Sequence, residues 1–277
     1  MGRKNKWSEQ EIQFITDNFN KLTYKEMSER LKRPERSIGY FANTHLGLKK
    51  EEWKCRPPTN KQFINSDYFK TFTEESCYIL GFLAADGYVS PQRHRIAIGL
   101  TERDIDRLEF IRDEICPNRK IMTYFKTNSI KIQFDCKTIK QDLEILGFKD
   151  LKKDISTIFD KLPQDHHRDF IRGFFDGDGC ISITNRKRII NDRTYNSMEQ
   201  KFSFTNNDEQ VLRSIQNIID MGHLYDHNKW GKYFTLESSK YSDVKNLYHY
   251  MYDNVNNSQT IMKRKKEKFQ VLLTQKG

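Results

Sequence analysis

The sequence predicts an α+β protein: a small three-helix domain followed by two copies of one helix-and-strand order. Three features carry that expectation. Residues 1–50 hold two capping boxes and a proline at helical spacing. After residue 70 the order apolar helix, strands, helix, two strands, closing helix occurs twice. Each copy opens on a helix that ends in Asp-Gly, at Asp86-Gly87 and Asp178-Gly179, 92 positions apart.

In the first domain, Ser8-Glu9-Gln10-Glu11 caps a helix carrying Ile12, Ile15 and Phe19, and Thr23-Tyr24-Lys25-Glu26 caps a second carrying Met27 and Leu31. Pro34 suits the first turn of a third helix, with Ile38, Phe41, Ala42 and Leu46 as its inner stripe and Gly47 after its end. The tight Lys32-Arg33 turn and a last helix bearing Arg36, Tyr40 and Asn43 are those of a helix-turn-helix-like module, whose later helix can present such side chains to base edges. Pro57-Pro58-Thr59-Asn60 marks 51–70 as a linker. The first repeat is placed at 71–165 and the second at 166–277.

In the first repeat the apolar helix spans 76–87, with a strand at 95–100, a helix through Ile105, Leu108, Phe110 and Ile111, strands at 120–126 and 130–134, and a helix at 139–146. The second opens at 170–179 and continues with a strand at 180–184, a polar hairpin tip at 185–199 and a strand at 201–205. A helix at 209–219, strands at 223–225 and 233–237, and a helix at 241–252 complete it.

Charge locates a partner. The chain is +10 overall. Residues 1–56 hold 13 Lys/Arg against 8 Asp/Glu, and 260–277 hold 6 against 1, so each end is +5 and the span between is neutral. Two basic ends on a neutral body suggest a polyanion. No apolar run reaches the roughly 18 residues of a bilayer span, and MGRKNKW lacks the apolar stretch of a secretory signal. Five cysteines without a CxxC pair fit reduced thiols in an intracellular protein.

The opening helices carry the chemistry. Gly81 with Ala85, and Gly173 with Gly177, stand four apart on one face, which lets two helix backbones approach closely. Gly87 and Gly179 suit a left-handed helix end. Aspartates in the last turn face the negative end of the helix dipole, at a cost of a few tenths to about 1 kcal/mol each. Two packed helices compound that repulsion, and a divalent cation such as Mg²⁺ would offset it. One such aspartate alone would read as a solvated helix cap; the repeat favours the cation. An EF-hand does not fit, because its loop spacing and closing Glu are missing.

The segments ILGFLAADG (79–87) and IRGFFDGDG (171–179) resemble the paired motif of LAGLIDADG homing endonucleases, with the resemblance covering about residues 71–272. It implies two pseudo-symmetric αββαββα repeats with saddle-shaped antiparallel sheets, in a monomer that binds double-stranded DNA over a long specific site. The implied activity is metal-dependent phosphodiester hydrolysis leaving short 3′ overhangs. It assigns Asp86 and Asp178 to Mg²⁺ or Mn²⁺, and a basic residue to each active site, here Lys153 and Lys265. Ala84 stands where the second motif has Asp176, a position that is not a metal ligand in the family. Outward strand residues contact the major groove in the family. The corresponding residues are Arg93, Arg95, Lys131 and Gln133, then Ser182, Thr184, Lys201, Ser203 and Thr205, extended by Arg186, Lys187, Arg188 and Arg193. A setting in a bacterium, a phage-infected cell or an organelle, with an intron as one genetic context, follows from the same resemblance. Two rivals share the fold: a non-catalytic DNA-binding regulator, which would be expected to lose the motif acids, and an RNA-binding intron maturase.

Overall fold

A computed structural model describes residues 7–19, 22–48, 63–148, 155–190, 193–227, 229, 231 and 233–276, with side chains except at 188–190, 193, 195, 196, 275 and 276. The chain divides into two compact units, 1–61 and 62–277. Among the described residues no helix is long and apolar enough to cross a membrane.

The first unit holds α1 (Glu9–Asn18), α2 (Tyr24–Leu31) and α3 (Glu35–Thr44). Both capping boxes form. Glu11 N–H donates to Ser8 Oγ and Ser8 N–H to the Glu11 carboxylate, and Thr23 and Glu26 do the same at α2. Ile15, Phe19, Met27, Ile38 and Ala42 make the core. Lys32 takes a left-handed conformation (φ 50°) that turns the chain from α2 towards α3. The next residue, Arg33, donates to both Glu11 oxygens at 2.8 and 2.9 Å and lies 4.4 Å above the Trp7 ring. Those hydrogen bonds hold the Glu11 carboxyl down at about 2 and pin the turn to α1.

The second unit repeats one order twice. First come α4 (Glu74–Asp86), β1 (Gly87–Val89), β2 (Arg95–Thr101), α5 (Ile105–Ile115), β3 (Met122–Tyr124), β4 (Ser129–Asp135) and α6 (Lys137–Ile145). Then follow α7 (His167–Asp178), β5 (Gly179–Ile190), β6 (Arg193–Asn206), α8 (Glu209–Ile219), β7 (His223–Asp226), β8 (Phe234–Ser238) and α9 (Tyr241–Tyr252), with α10 (Lys263–Lys276) behind them. Each repeat builds a four-stranded antiparallel sheet, ordered β1-β2-β4-β3 and β5-β6-β8-β7. This is the α+β, two-repeat class the sequence predicts.

Period-two alternation fixes which face is buried. Ile96, Ile98, Ile130, Ile132 and Phe134 point inward from the first sheet, and Ile181, Phe202, Phe204 and Leu236 from the second. They share one core with α4 and α7. Helix α4 is buried along Ser76 to Ala84, as an all-round apolar helix must be.

The structure corrects the expected element map in three places. Strand β1 is present but only three residues long, too short for an alternation to show. The strand expected at 120–126 shrinks to Met122–Tyr124, because the Thr127 N–H donates to the Tyr124 carbonyl (3.1 Å) and commits Phe125 and Lys126 to a turn. The tip expected at 185–199 is a paired ribbon instead. β5 and β6 remain in register out to Ile190 opposite Arg193. A ribbon projecting beyond the core buries neither face, so its polar sequence carries no apolar alternation.

Segments distant in sequence close the second unit. Arg172 is fully buried; its Nε donates to Thr260 O (2.9 Å), its Nη1 to Met251 O (3.0 Å) and its Nη2 to Thr260 Oγ1 (2.9 Å) and Glu74 (3.3 Å). Glu74 opens α4, so one guanidinium joins both repeats to the segment before α10.

Candidate active site and nucleic-acid surface

The site is built where α4 and α7 touch. A Cβ at Gly81 would lie 2.0 Å from the Phe170 carbonyl oxygen, and one at Gly173 1.9 Å from that of Tyr78. Each glycine therefore seats on the other helix's backbone, in a reciprocal contact that only hydrogen side chains permit. One turn on, a Cβ at Gly177 would lie 2.3 Å from Ala85 Cβ and 3.1 Å from Asp86 Oδ2. The small-residue faces meet as expected, and they bring the helix ends together.

Asp86 and Asp178 are the last residues of those helices. Gly87 and Gly179 follow in extended conformations (φ −81° and −88°), so the expected left-handed helix end is corrected. Glycine is needed there for space. A Cβ would lie 2.4 Å from Leu83 O at Gly87, and 2.2 Å from Phe175 Cδ2 at Gly179. The chain thus passes directly from each aspartate into the edge strand of its sheet.

Asn206, at the end of β6, donates from Nδ2 to Asp178 Oδ2 (3.2 Å) and orients that carboxylate. Asp86 lines a pocket of about 340 Å³ with Thr101, Asp104, Ser129, Asp176 and Arg264. Arg264 is held in it by a bidentate pair to Asp104, at 2.7 and 3.0 Å. Asp176 is buried; its Oδ2 accepts from Tyr78 OH (2.8 Å) and from Met262 N–H (3.1 Å). Burial raises the Asp176 pKa against the opposing pull of Lys265.

Lys265 lies beneath the C-terminal end of α7. Its Nζ donates to the carbonyls of Phe175 (2.6 Å), Asp176 (2.8 Å) and Gly179 (2.6 Å). A cation there compensates the negative helix end on which Asp178 sits. Burial draws its pKa down to about 8, with Asp176 opposing and Asp86 near enough to contribute. With Arg264 paired to Asp104 and Lys265 buried, the basic 260–277 segment is in part internal rather than a free cationic tail. Lys153 lies outside the described residues.

Among the described residues no three His, Cys, Asp or Glu side chains cluster as metal ligands. The pair Asp86 and Asp178 offers hard carboxylate oxygens at two helix ends. That donor set fits a hard divalent cation whose other positions go to water and phosphate.

The outward sheet faces hold the strand residues named from sequence. Lys131 and Gln133 stand opposite Gly99 and Ala97, and Ser182 and Ser203 opposite Lys201 and Glu237. Arg93 and Thr184 are exposed, and the Arg188 and Arg193 side chains lie outside the described residues. Three of the basic side chains have acidic partners that sequence reasoning missed: Arg95 with Asp135 (3.2 Å), Lys201 with Glu237 (2.9 Å) and Arg186 with Glu199 (2.9 Å). The outward faces therefore present donors and acceptors side by side, which suits base edges better than a purely cationic strip would. In the first unit Arg36, Tyr40 and Asn43 are exposed on one face of α3, Tyr40 at 65%.

Residues 171–273 match the LAGLIDADG endonuclease family. No curated protein sequence matches the chain. Among solved structures, the LAGLIDADG meganuclease I-AabMI bound to uncleaved DNA shares 16% identity over 74% of this chain and 92% of its own, with a TM-score of 0.52. The LAGLIDADG homing endonuclease I-LtrWI bound to target DNA shares 13% over 76% and 91%, at 0.51. I-SmaMI, bound to an uncleaved DNA target in the presence of calcium ions, shares 11% over 74% and 92%, also at 0.51. The chain has the LAGLIDADG meganuclease fold.

Proposed function

We propose that the protein is a site-specific endonuclease of double-stranded DNA, acting as a monomer on a long target and leaving short 3′ overhangs. The observation that carries this reading is the reciprocal glycine contact that delivers Asp86 and Asp178 together between two sheets with polar outward faces. The meganuclease I-AabMI and the homing endonuclease I-LtrWI, which share the fold, are bound to DNA, which supports DNA as the partner.

Asp86 and Asp178 would hold Mg²⁺ or Mn²⁺; bound there, the cation polarises a phosphoryl oxygen and makes bound water more acidic. Asn206 holds Asp178 in one orientation. Lys265, through the end of α7, makes a second negative charge tolerable at that position, and Lys153 is its counterpart by resemblance. The outward residues Arg93, Arg95, Lys131 and Gln133, with Ser182, Thr184, Arg186, Lys201 and Ser203, and Arg188 by resemblance, would lie along the major groove and set the register of the cuts. Five cysteines without a CxxC pair support work in a reducing compartment where DNA resides.

The direct test is selection for cleaved duplexes from a random library in Mg²⁺. A reproducible long site with 3′ overhangs is the expected result. No reproducible cut in Mg²⁺ or Mn²⁺, with binding retained, would make the protein a regulator instead.

The three-helix unit would add contacts through Arg36, Tyr40 and Asn43. Arg36→Ala with Asn43→Ala is expected to weaken binding at least about tenfold, because good base contacts are each worth about 1–3 kcal/mol. The salt dependence should also become shallower if Arg36 touches a phosphate. An isotherm and salt slope equal to the parent's would remove this unit from the interface.

A further inference from the structure

We propose that the target is lopsided: the half-site under the second repeat extends several base pairs farther from the cut than the half-site under the first, because the β5–β6 ribbon follows the major groove past its sheet. The inference deepens the endonuclease reading and rests on it.

The hairpins that open the two repeats differ in reach. β1 and β2 hold three residue pairs, from Gly87 with Ile98 to Val89 with Ile96. The Ser90 N–H donates to the Arg95 carbonyl (2.9 Å) and closes that hairpin. It is also strapped down at the start of α6. The Cys136 N–H donates to the His94 carbonyl (2.8 Å), and Lys140 Nζ to the Pro91 carbonyl (3.0 Å).

β5 and β6 hold twelve pairs, from Gly179 with Phe204 to Ile190 with Arg193. Among the described side chains of this ribbon, Ile183 and Met198 are the outermost packed against the core. Beyond them Asn185, Lys187 and Thr194 are exposed on one face, and Arg186 and Ser197 on the other.

Shape and charge select the occupant. A major groove about 12 Å wide admits a two-stranded ribbon. Residues 185–199 hold four Lys/Arg against two Asp/Glu, a surplus inside the span 57–259 that is neutral as a whole. Ser182, Thr184 and Arg186 line one hollow with Lys201 and Glu237, so the ribbon continues the sheet face placed against DNA. A strand advances about 3.3 Å per residue and a duplex about 3.4 Å per base pair, so the longer ladder can follow at most about nine further base pairs. Twist of the ribbon reduces that to several.

The test maps the selected site by base-pair substitution, with binding measured without divalent metal. In the parent, substitutions should matter farther from the cut on one side, each outer one weakening binding about fivefold or more. Replacing 186–197 by an Asn-Gly turn shortens the ribbon to the pair Asn185 and Met198. In that variant the same outer substitutions should cost less than about twofold, with the inner positions and the other half read as before. Arg186→Ala with Lys187→Ala keeps the ladder and serves if the shortened ribbon does not fold. It should lose about tenfold on the full duplex and less than about twofold on one trimmed of the outer base pairs. Half-sites of equal length, an outer profile unchanged by the shortened ribbon, or equal losses on the full and trimmed duplexes overturn the inference while the endonuclease reading stands. A parent protein that binds no duplex overturns both, at the level of the proposed function.

Discussion

Asp178→Asn is expected to lower the single-turnover cleavage rate by about a thousandfold or more while leaving DNA affinity within a few-fold. Lewis-acid stabilisation of the transition state is worth several kcal/mol, and each 1.36 kcal/mol is a factor of ten. The substitution is isosteric, and Asn206 Nδ2 can still donate to the side-chain oxygen it now meets at 3.2 Å. It also removes one of two like charges at adjoining helix ends, so folding should not suffer. Asp86→Asn should behave alike. Cleavage assayed beside a gel shift separates the two effects; cutting at the parental rate would end the case for the aspartate pair.

The largest loss of stability is expected from Gly173→Ala. The new methyl would lie 1.9 Å from Tyr78 O, 2.8 Å from Tyr78 C and 3.0 Å from Phe82 N. All three are backbone atoms, so no side chain can rotate aside and α4 and α7 must separate. Overpacking of a tight core costs typically 1–3 kcal/mol and occasionally more, and a rigid backbone clash belongs at the upper end. At 2–4 °C per kcal/mol for a unit of this size, Tm should fall by roughly 10 °C. Gly99→Ala is the control. Its Cβ would meet nothing closer than Ile130 O at 3.8 Å, so Tm should move by no more than about 2 °C. If the two variants melt together, the reciprocal glycine contact is not what sets the helix spacing.

Much of this arrangement was legible in the residues. Helices α8 and α9 begin and end where their apolar periodicity does, at Glu209–Ile219 and Tyr241–Tyr252. The glycine faces were readable because a helix repeats every three to four residues, so a small-xxx-small pair declares a close approach. The conformation of Gly87 and Gly179 was not legible, since a helix-terminal glycine serves equally for a left-handed turn or for a lack of room. Nor was the ribbon of β5 and β6, whose ladder needs no apolar alternation. Lys265 was singled out as basic, but its target, the end of α7, lies some 90 positions earlier. The Arg264–Asp104 pair spans 160 positions, and no local pattern encodes it. Asp176 shows the same limit: its motif position was visible, but not the burial that occupies it with Tyr78 and Met262.

Those long-range ties impose an order of events on biosynthesis. Thr260 reaches Glu74 across 186 positions, Met262 reaches Asp176 across 86, and Arg264 and Lys265 reach back to Asp104 and the end of α7. A ribosome delivers this segment after both repeats have emerged. Until then Arg172 lacks its Thr260 acceptors and the end of α7 lacks its ammonium cap, so the centre holding the two aspartates cannot be completed. Loop closure over such spans costs entropy that grows only with the logarithm of length, so lateness rather than distance is the obstacle. The C-terminal segment is a timer: the paired helices are assembled early and locked last.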